Sequence, residues 1–307
     1  MGRLFGVLFY GLSSIIITIV NKIILNVWGF PSVSTLVLAQ FIFSILSLRI
    51  LKVLGIIDFP FFSIRMVFPL PILYVGNALS GLSGTKSLSI PMFTVLRRTN
   101  MIFTMGLEIC LLRVQYSFKL KLSVVTILFG SILAAISDTQ IDYYGYIATL
   151  LNNLFTSFNG VVAKSKLDDK QIDSVWGLMY MNSLLGTPLL FLILMLIYPE
   201  TVMDAYHFEH WNDPLFVLLF LISSSMGTIL QYSILYCTKV NSALTVVVTG
   251  VLKNVLTSYI GMFDSRLGYT FDLMNFIGIN LSMFGGIWYA FLQYNDHINS
   301  EDRQSIV

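Results

Sequence analysis

Ser242-Ala-Leu-Thr-Val-Val-Val-Thr-Gly250-Val-Leu-Lys-Asn254-Val-Leu-Thr-Ser-Tyr-Ile-Gly-Met262 is a run of apolar and small residues with Lys253 near its middle. About 20 such residues in a helix match the ~30 Å hydrocarbon core of a bilayer, so the run reads as a membrane span. A lysine halfway through a span costs about 3 kcal/mol on insertion scales, and it is kept beside a partner, a cavity or a bound anion. The run therefore sets both the class of the protein and its functional question: which negative group does Lys253 meet?

Composition agrees with the class. Of 307 residues, 56% are hydrophobic and only 11% charged, and the mean hydropathy is +0.80. Apolar runs of about 20 residues recur along the chain, which a soluble core does not need. The net charge of +2 is too small to point to nucleic acid. Cys110 and Cys237 both fall in apolar runs, so they read as small core fillers rather than a disulfide.

Ten membrane spans are predicted, at roughly 4–25, 33–54, 66–86, 91–112, 121–138, 143–164, 174–198, 214–237, 242–263 and 271–294. The fold class expected is an all-α polytopic membrane protein with short connections and no separate soluble domain. Basic residues crowd one set of connections, among them Arg49, Lys52, Arg65, Arg113, Lys119, Lys164 and Lys166. The other set keeps only Lys86 and Arg266, which places both termini in the cytosol.

Ten spans divide into halves of five, 1–138 and 139–307, and an odd number per half inverts the second against the first. The fourth span, Pro91 to Arg98, and the ninth, Ser242 to Lys253, share a pattern of small or turn residues followed by a cation part way down the helix. Inverted repeats with polar groups near the midplane characterise secondary transporters. No nucleotide-hydrolysis motif is present, so a gradient or an exchange must supply the energy. Small residues at four-residue spacing, Gly76-Ser80-Gly84, Gly130-Ala134, Ser223-Gly227 and Gly278-Ser282-Gly286, are expected to let helices approach closely. A homodimer face on the fifth or tenth span is their alternative use.

Lys22, Arg97, Arg98 and Lys253 are the basic residues left inside spans, and Glu108 is the clearest acid there. One acid does not neutralise four cations, which implies an anionic substrate. Lysine as a point charge and arginine as a bidentate fork both suit phosphate. Arg97 and Arg98 lie about 100° apart on a helix, so at least one is expected to pair with Glu108 or a helix end. Lys22, nearer a helix end, can snorkel instead. Asn21, Asn152, Asn153, Asn159, Tyr180, Asn182 and Asn254 offer hydrogen bonds to a base or sugar, with helix-to-helix bonding as the competing role. Asn152 and Asn153 face different ways; Asn153 is carried forward as the ligand contact. His207 and His210 sit in the acidic segment 199–213 and read as a solvated loop rather than a metal site. No catalytic triad or paired-carboxylate site is found, so an enzyme is not expected, nor is a cofactor.

Phe93-Thr-Val-Leu-Arg-Arg98, Leu151-Asn-Asn-Leu154 with Asn159-Gly160 and Lys164-Ser-Lys-Leu-Asp168, and Asn241-Ser-Ala-Leu-Thr245 with Gly250-Val-Leu-Lys-Asn-Val255 resemble the nucleotide-sugar transporters of the drug/metabolite transporter superfamily. The likeness is strongest to subfamily D of solute carrier family 35 and covers nearly the whole chain. It implies ten helices in two inverted halves, and exchange of a cytosolic nucleotide sugar for a luminal nucleoside monophosphate in the Golgi or endoplasmic reticulum membrane. The GDP-mannose members carry Phe-Tyr-Asn-Asn and Gly-Ala-Leu-Asn-Lys. Here the matching stretches are Tyr180-Met-Asn-Ser183 and Gly250-Val-Leu-Lys-Asn254, with the second Asn missing and the Asn-Lys order reversed. Those departures favour a UDP-sugar with UMP as the returning nucleotide.

By the resemblance, Lys253 contacts phosphate, Asn254, Tyr180 and Asn182 contact the nucleotide, Gly250 belongs to the same motif, and Asn21 and Lys22 form the pocket wall. Exchange follows because an empty site would leave the cations unpaired in low dielectric. Alternatives are GDP-mannose, a triose-phosphate-like metabolite, a non-transporting membrane scaffold and a lipid-modifying enzyme.

Overall fold

A computed structural model describes residues 2–87, 96–135, 143–169, 172, 174–263 and 273–305, which are helical without a strand. Helix α1 (Gly2–Lys22) continues through a π-helical turn, Ile23–Val27; α2 is Val33–Val53, α3 Ile64–Val67 and α4 Leu70–Ser87. They are followed by α5 (Asn100–Leu112), α6 (Phe118–Ala135), α7 (Tyr143–Asp168) and α8 (Val175–Ile197). Short α9 (Pro199–Tyr206) and a 3₁₀ turn, Glu209–Asn212, lead to α10 (Pro214–Val240), α11 (Ala243–Phe263) and α12 (Leu273–Ser305). The stretches Gly2–Leu25, Val33–Val53, Val175–Ile197, Pro214–Val240 and Phe276–Asn295 are each long and apolar enough to cross a membrane.

Helix ends follow local chemistry. Ser32 caps α2 by accepting from Thr35 N at 3.3 Å, and Ser174 caps α8 by accepting from Gly177 N at 3.2 Å. Asp213 accepts from Leu215 N at 2.8 Å with Pro214 opening α10. The third predicted span starts late: the chain breaks at Phe68-Pro69 between α3 and α4, because proline supplies no N–H to continue a helix.

The distribution of polarity is that of a membrane protein. On α1, Leu4, Leu8, Leu12, Ile16 and Ile19 are exposed, whereas Ser13 and Ser14 are buried. Across the bundle Ser44, Thr104, Thr149, Asn152, Asn153 and Ser157 lie inside. Hydrocarbon solvates the leucines, and the hydroxyls and amides must find partners within the protein.

The small-residue stripes are packing surfaces. A Cβ on Gly130 of α6 would lie 2.6 Å from Ser282 N and 2.7 Å from Gly278 O of α12. On Gly286 it would meet Leu252 of α11 at 2.5 Å, and on Gly76 of α4 the Phe155 ring of α7 at 2.8 Å. The stripes of the fifth and tenth spans thus pack against each other and against α11 inside the chain, the close helix approach expected of them.

Contacts also fix which helix ends lie together. At one end Asn241 Nδ2 donates to Arg3 O at 3.1 Å, Lys164 Nζ to Lys239 O at 2.9 Å, and the Phe62 ring lies against Gly177. At the other, segment 199–213 is built of α9 and the 3₁₀ turn rather than an irregular loop, and His207, Glu209 and His210 on it are exposed to solvent as expected. Phe208 and Trp211 fold over Phe30, Phe216 and Phe220, and His210 sets its ring edge-on to Trp28 at 5.2 Å. Ring contacts hold the segment on the bundle while Glu200, Asp204 and Glu209 stay exposed to solvent.

Candidate functional site

A cavity of about 530 Å³ lies within the bundle, nearer the first of these ends. Its wall is assembled from α1, α4, the segment 96–100, α5, α7, α8, α10 and α11. Six residues singled out in the sequence line it: Arg97, Arg98, Asn159, Asn182, Gly250 and Lys253. No carboxylate does so among the described residues.

Lys253 is half-buried, and its Nζ donates to Ser14 Oγ of α1 at 3.0 Å. Arg97 is close enough for the two positive charges to interact, and its side chain is exposed to the cavity. Gly250, one turn before Lys253, brings the α11 backbone next to α1: a Cβ there would lie 3.3 Å from Tyr10 Oη. Tyr10 itself lines the cavity.

Arg98 is 4% exposed, and its Nη1 donates to Ser131 Oγ at 2.9 Å and to Ser282 Oγ at 3.0 Å. It pins the start of the fourth span's described helix to the α6–α12 pair. Glu108 is not its partner. Glu108 Oε1 accepts from Ala243 N at 2.8 Å and Leu244 N at 3.4 Å, and Oε2 accepts from Tyr116 Oη. A buried carboxylate at a helix N-terminus meets unsatisfied N–H groups and the positive end of the dipole, which explains its place there.

The amide side of the cavity comes from α4, α7, α8 and α10, as Asn77, Asn159, Asn182 and Gln231. Asn159 Oδ1, Asn182 Oδ1 and Gln231 Nε2 are buried and have no hydrogen-bond partner among the described residues. Buried amides seldom stay in that condition, so groups of this kind mark a place where a polar ligand or ordered water belongs.

Other sequence-predicted residues are engaged elsewhere. Tyr180 is buried against Phe59 and Phe61, with ring centroids 5.3 and 5.6 Å away. Asn153 Nδ2 donates to Leu96 O at 2.6 Å and Thr99 Oγ1 at 2.9 Å. Asn152 Nδ2 reaches Asn77 O at 2.6 Å, joining α7 to α4. Asn21 Oδ1 accepts from Ser223 Oγ at 2.7 Å, and Gln40 Nε2 donates to that same Ser223 at 3.2 Å. These bonds are helix-to-helix glue of the sort expected in lipid. The side chains of Lys22 and Asn254 lie outside the described residues, as does the Pro91–Val95 part of the fourth span.

The reading of the sequence missed Ser14, Tyr10 and Gln231. Gln231 carried a signal, an amide inside the apolar run of α10, by the same rule that singled out the asparagines. Ser14 carried none, since serine is ordinary in a span.

Comparison with known proteins bears on what this cavity is for. The model of the Triose-phosphate Transporter family matches residues 1–290. Nucleotide sugar transporter SLC35D2 of Mus musculus is 41% identical over 100% of this chain and 94% of its own length. UDP-sugar transporter UST74c of Drosophila melanogaster is 43% identical over 94% of this chain and 77% of its own. A solved crystal structure superposes with a TM-score of 0.64 over 93% of this chain and 96% of its own length, at 12% identity, a likeness of fold alone. Shared along this length and with the motifs in place, the similarity leaves no room for an enzyme: the chain belongs to the Triose-phosphate Transporter family, among the nucleotide-sugar transporters akin to solute carrier family 35 subfamily D.

Proposed function

We propose that this protein is an antiporter that carries a UDP-sugar from the cytosol into the Golgi or endoplasmic reticulum lumen and returns UMP. The observation that carries the reading is a cavity with Arg97, Arg98 and Lys253 in its wall and no carboxylate among its described lining residues. Such a site is completed by an anion, and a diphosphate fits both the fork of Arg97 and the point charge of Lys253. The names of the relatives supply the uridine nucleotide. The candidate sugars include N-acetylglucosamine, glucose, glucuronate and N-acetylgalactosamine.

In this reading Lys253 and Arg97 hold the phosphates, Arg98 secures the wall behind them, Gly250 gives the ligand room beside Tyr10, and Asn182 meets the base. Tyr180, Asn153 and Asn21 support the site through packing. Ten spans in inverted halves, 1–138 and 139–307, with both termini cytosolic, rock about the cavity. Loaded with UDP-sugar or UMP, the cations are neutralised and the transition is permitted; without a ligand their positive charge is not offset by phosphate in the low-dielectric interior, and the halves do not exchange.

Uptake of labelled UDP-sugars into proteoliposomes preloaded with UMP tests this. Uptake dependent on internal UMP is expected. Equal uptake into empty vesicles would remove obligatory exchange, and competition by triose phosphate but not UMP would replace the substrate.

A further inference from the structure

Of the three cavity amides without partners, Gln231 is the one whose orientation is fixed. Ser183, fully buried on α8, donates its Oγ proton to Gln231 Oε1 on α10 at 3.2 Å. The acceptor end of the amide is therefore occupied, and Nε2 remains as a buried donor in the cavity wall. Asn182, next to Ser183 in the chain and 7% exposed, lines the same cavity with its Oδ1 unpartnered. One donor and one acceptor are thus presented to the same cavity by α10 and α8, two helices joined by the Ser183–Gln231 bond.

We infer that Gln231, oriented by Ser183, is a specificity-determining residue that reads a keto-amide edge of the nucleobase jointly with Asn182. This rests on the nucleotide-sugar reading above and refines it. Uracil offers on one edge the O4 acceptor and the N3–H donor, which complement Gln231 Nε2 and Asn182 Oδ1. Cytosine, a ring of the same size, offers the reverse, an N4 amine donor and an N3 acceptor. Placed in the same pose it sets donor against donor and acceptor against acceptor, in a buried site where neither can turn to water. A site built to bond one pattern rejects the other strongly because its own polar groups are left unpaired. Asn159 Oδ1 on α7 is a further unpartnered acceptor in the same wall, placed to take a hydroxyl of the ligand.

The test is binding of labelled UMP to the full-length protein in detergent, competed by unlabelled UMP and CMP. The wild type is expected to prefer UMP over CMP by about thirtyfold or more. Gln231→Met, which keeps the bulk and removes the donor, is expected to weaken UMP about tenfold and bring the two nucleotides within about threefold of each other. Gln231→Glu keeps the shape and presents only acceptors, so it shifts the preference towards CMP. Ser183→Ala frees the Gln231 amide to turn without touching the base, so it narrows the preference even if the Gln231 variants do not fold. An unchanged ratio of UMP to CMP in whichever of these variants fold overturns the role of Gln231 while leaving UDP-sugar transport intact. Absence of any UMP binding by the wild type instead overturns the transport reading, and this inference with it.

Discussion

Glu108 Oε1 accepts the backbone N–H of Ala243 at 2.8 Å, so the buried acid of the fourth span caps the helix that carries Lys253. The clearest intramembrane carboxylate is thereby directed to a helix terminus and does not line the cavity. The same contact ties the fourth span to the ninth.

Replacing Glu108 with alanine leaves the N–H groups of Ala243 and Leu244 buried without an acceptor, a cost of about 1–3 kcal/mol. Thermal unfolding in detergent is expected to fall by several degrees. Glu108→Gln, which retains an acceptor for Ala243, recovers much of the loss. An unchanged midpoint in Glu108→Ala would show that the cap contributes nothing.

Lys253→Ala is expected to abolish UMP-dependent uptake, about a hundredfold or more, because the phosphate loses a charged partner in a desolvated site. Ser14→Ala removes the hydroxyl that receives Lys253 Nζ at 3.0 Å and is expected to raise KM several-fold with the protein still folded. Initial rates of uptake over a substrate series measure both, and full activity of Lys253→Ala would exclude its phosphate contact.

The two arginines are expected to part company. Arg98→Ala removes two hydrogen bonds that tie the 96–98 turn to Ser131 of α6 and Ser282 of α12, and lowers thermal stability. Arg97→Gln, at a side chain exposed to the cavity, keeps the folded yield and loses transport. Size-exclusion profiles together with uptake separate the outcomes; the reverse assignment would exchange their roles.

Gly130→Ala is expected to destabilise the bundle by about 2 kcal/mol or more, since the new methyl would lie 2.6 Å from the backbone nitrogen of Ser282 and only movement of α12 relieves it. Gly106→Ala is the control. Nothing lies within 4 Å of its Cβ position, and the greater helix propensity of alanine makes it neutral or mildly stabilising. Equal midpoints for the two variants would contradict the close α6–α12 contact.

Much of the helix layout was legible beforehand. Predicted spans at roughly 33–54, 174–198 and 242–263 correspond to Val33–Val53, Val175–Ile197 and Ala243–Phe263, because the length of an apolar run and a capping serine are local properties. In segment 199–213 the solvated acidic residues were likewise visible locally, whereas the ring contacts of Phe208 and Trp211 depend on Phe30 and Phe216, far away in the chain.

The candidate site divides in the same way. That Arg97, Arg98, Gly250 and Lys253 belong to membrane spans was readable from the chain alone, as was the need of each cation for a partner, a cavity or an anion, since dehydrating a charge is costly whatever the fold. Which polar groups share a cavity was not readable there, because it depends on how the helices pack. The packing gave Glu108 to the α11 terminus, Arg98 to two serines, and Tyr180, Asn153 and Asn21 to their helix neighbours, while leaving Asn182 Oδ1 and Gln231 Nε2 without partners among the described residues. Adjacent residues on a helix point about 100° apart, and each polar group in lipid bonds to whatever neighbour packing supplies, so the choice is made by the bundle and not by the span.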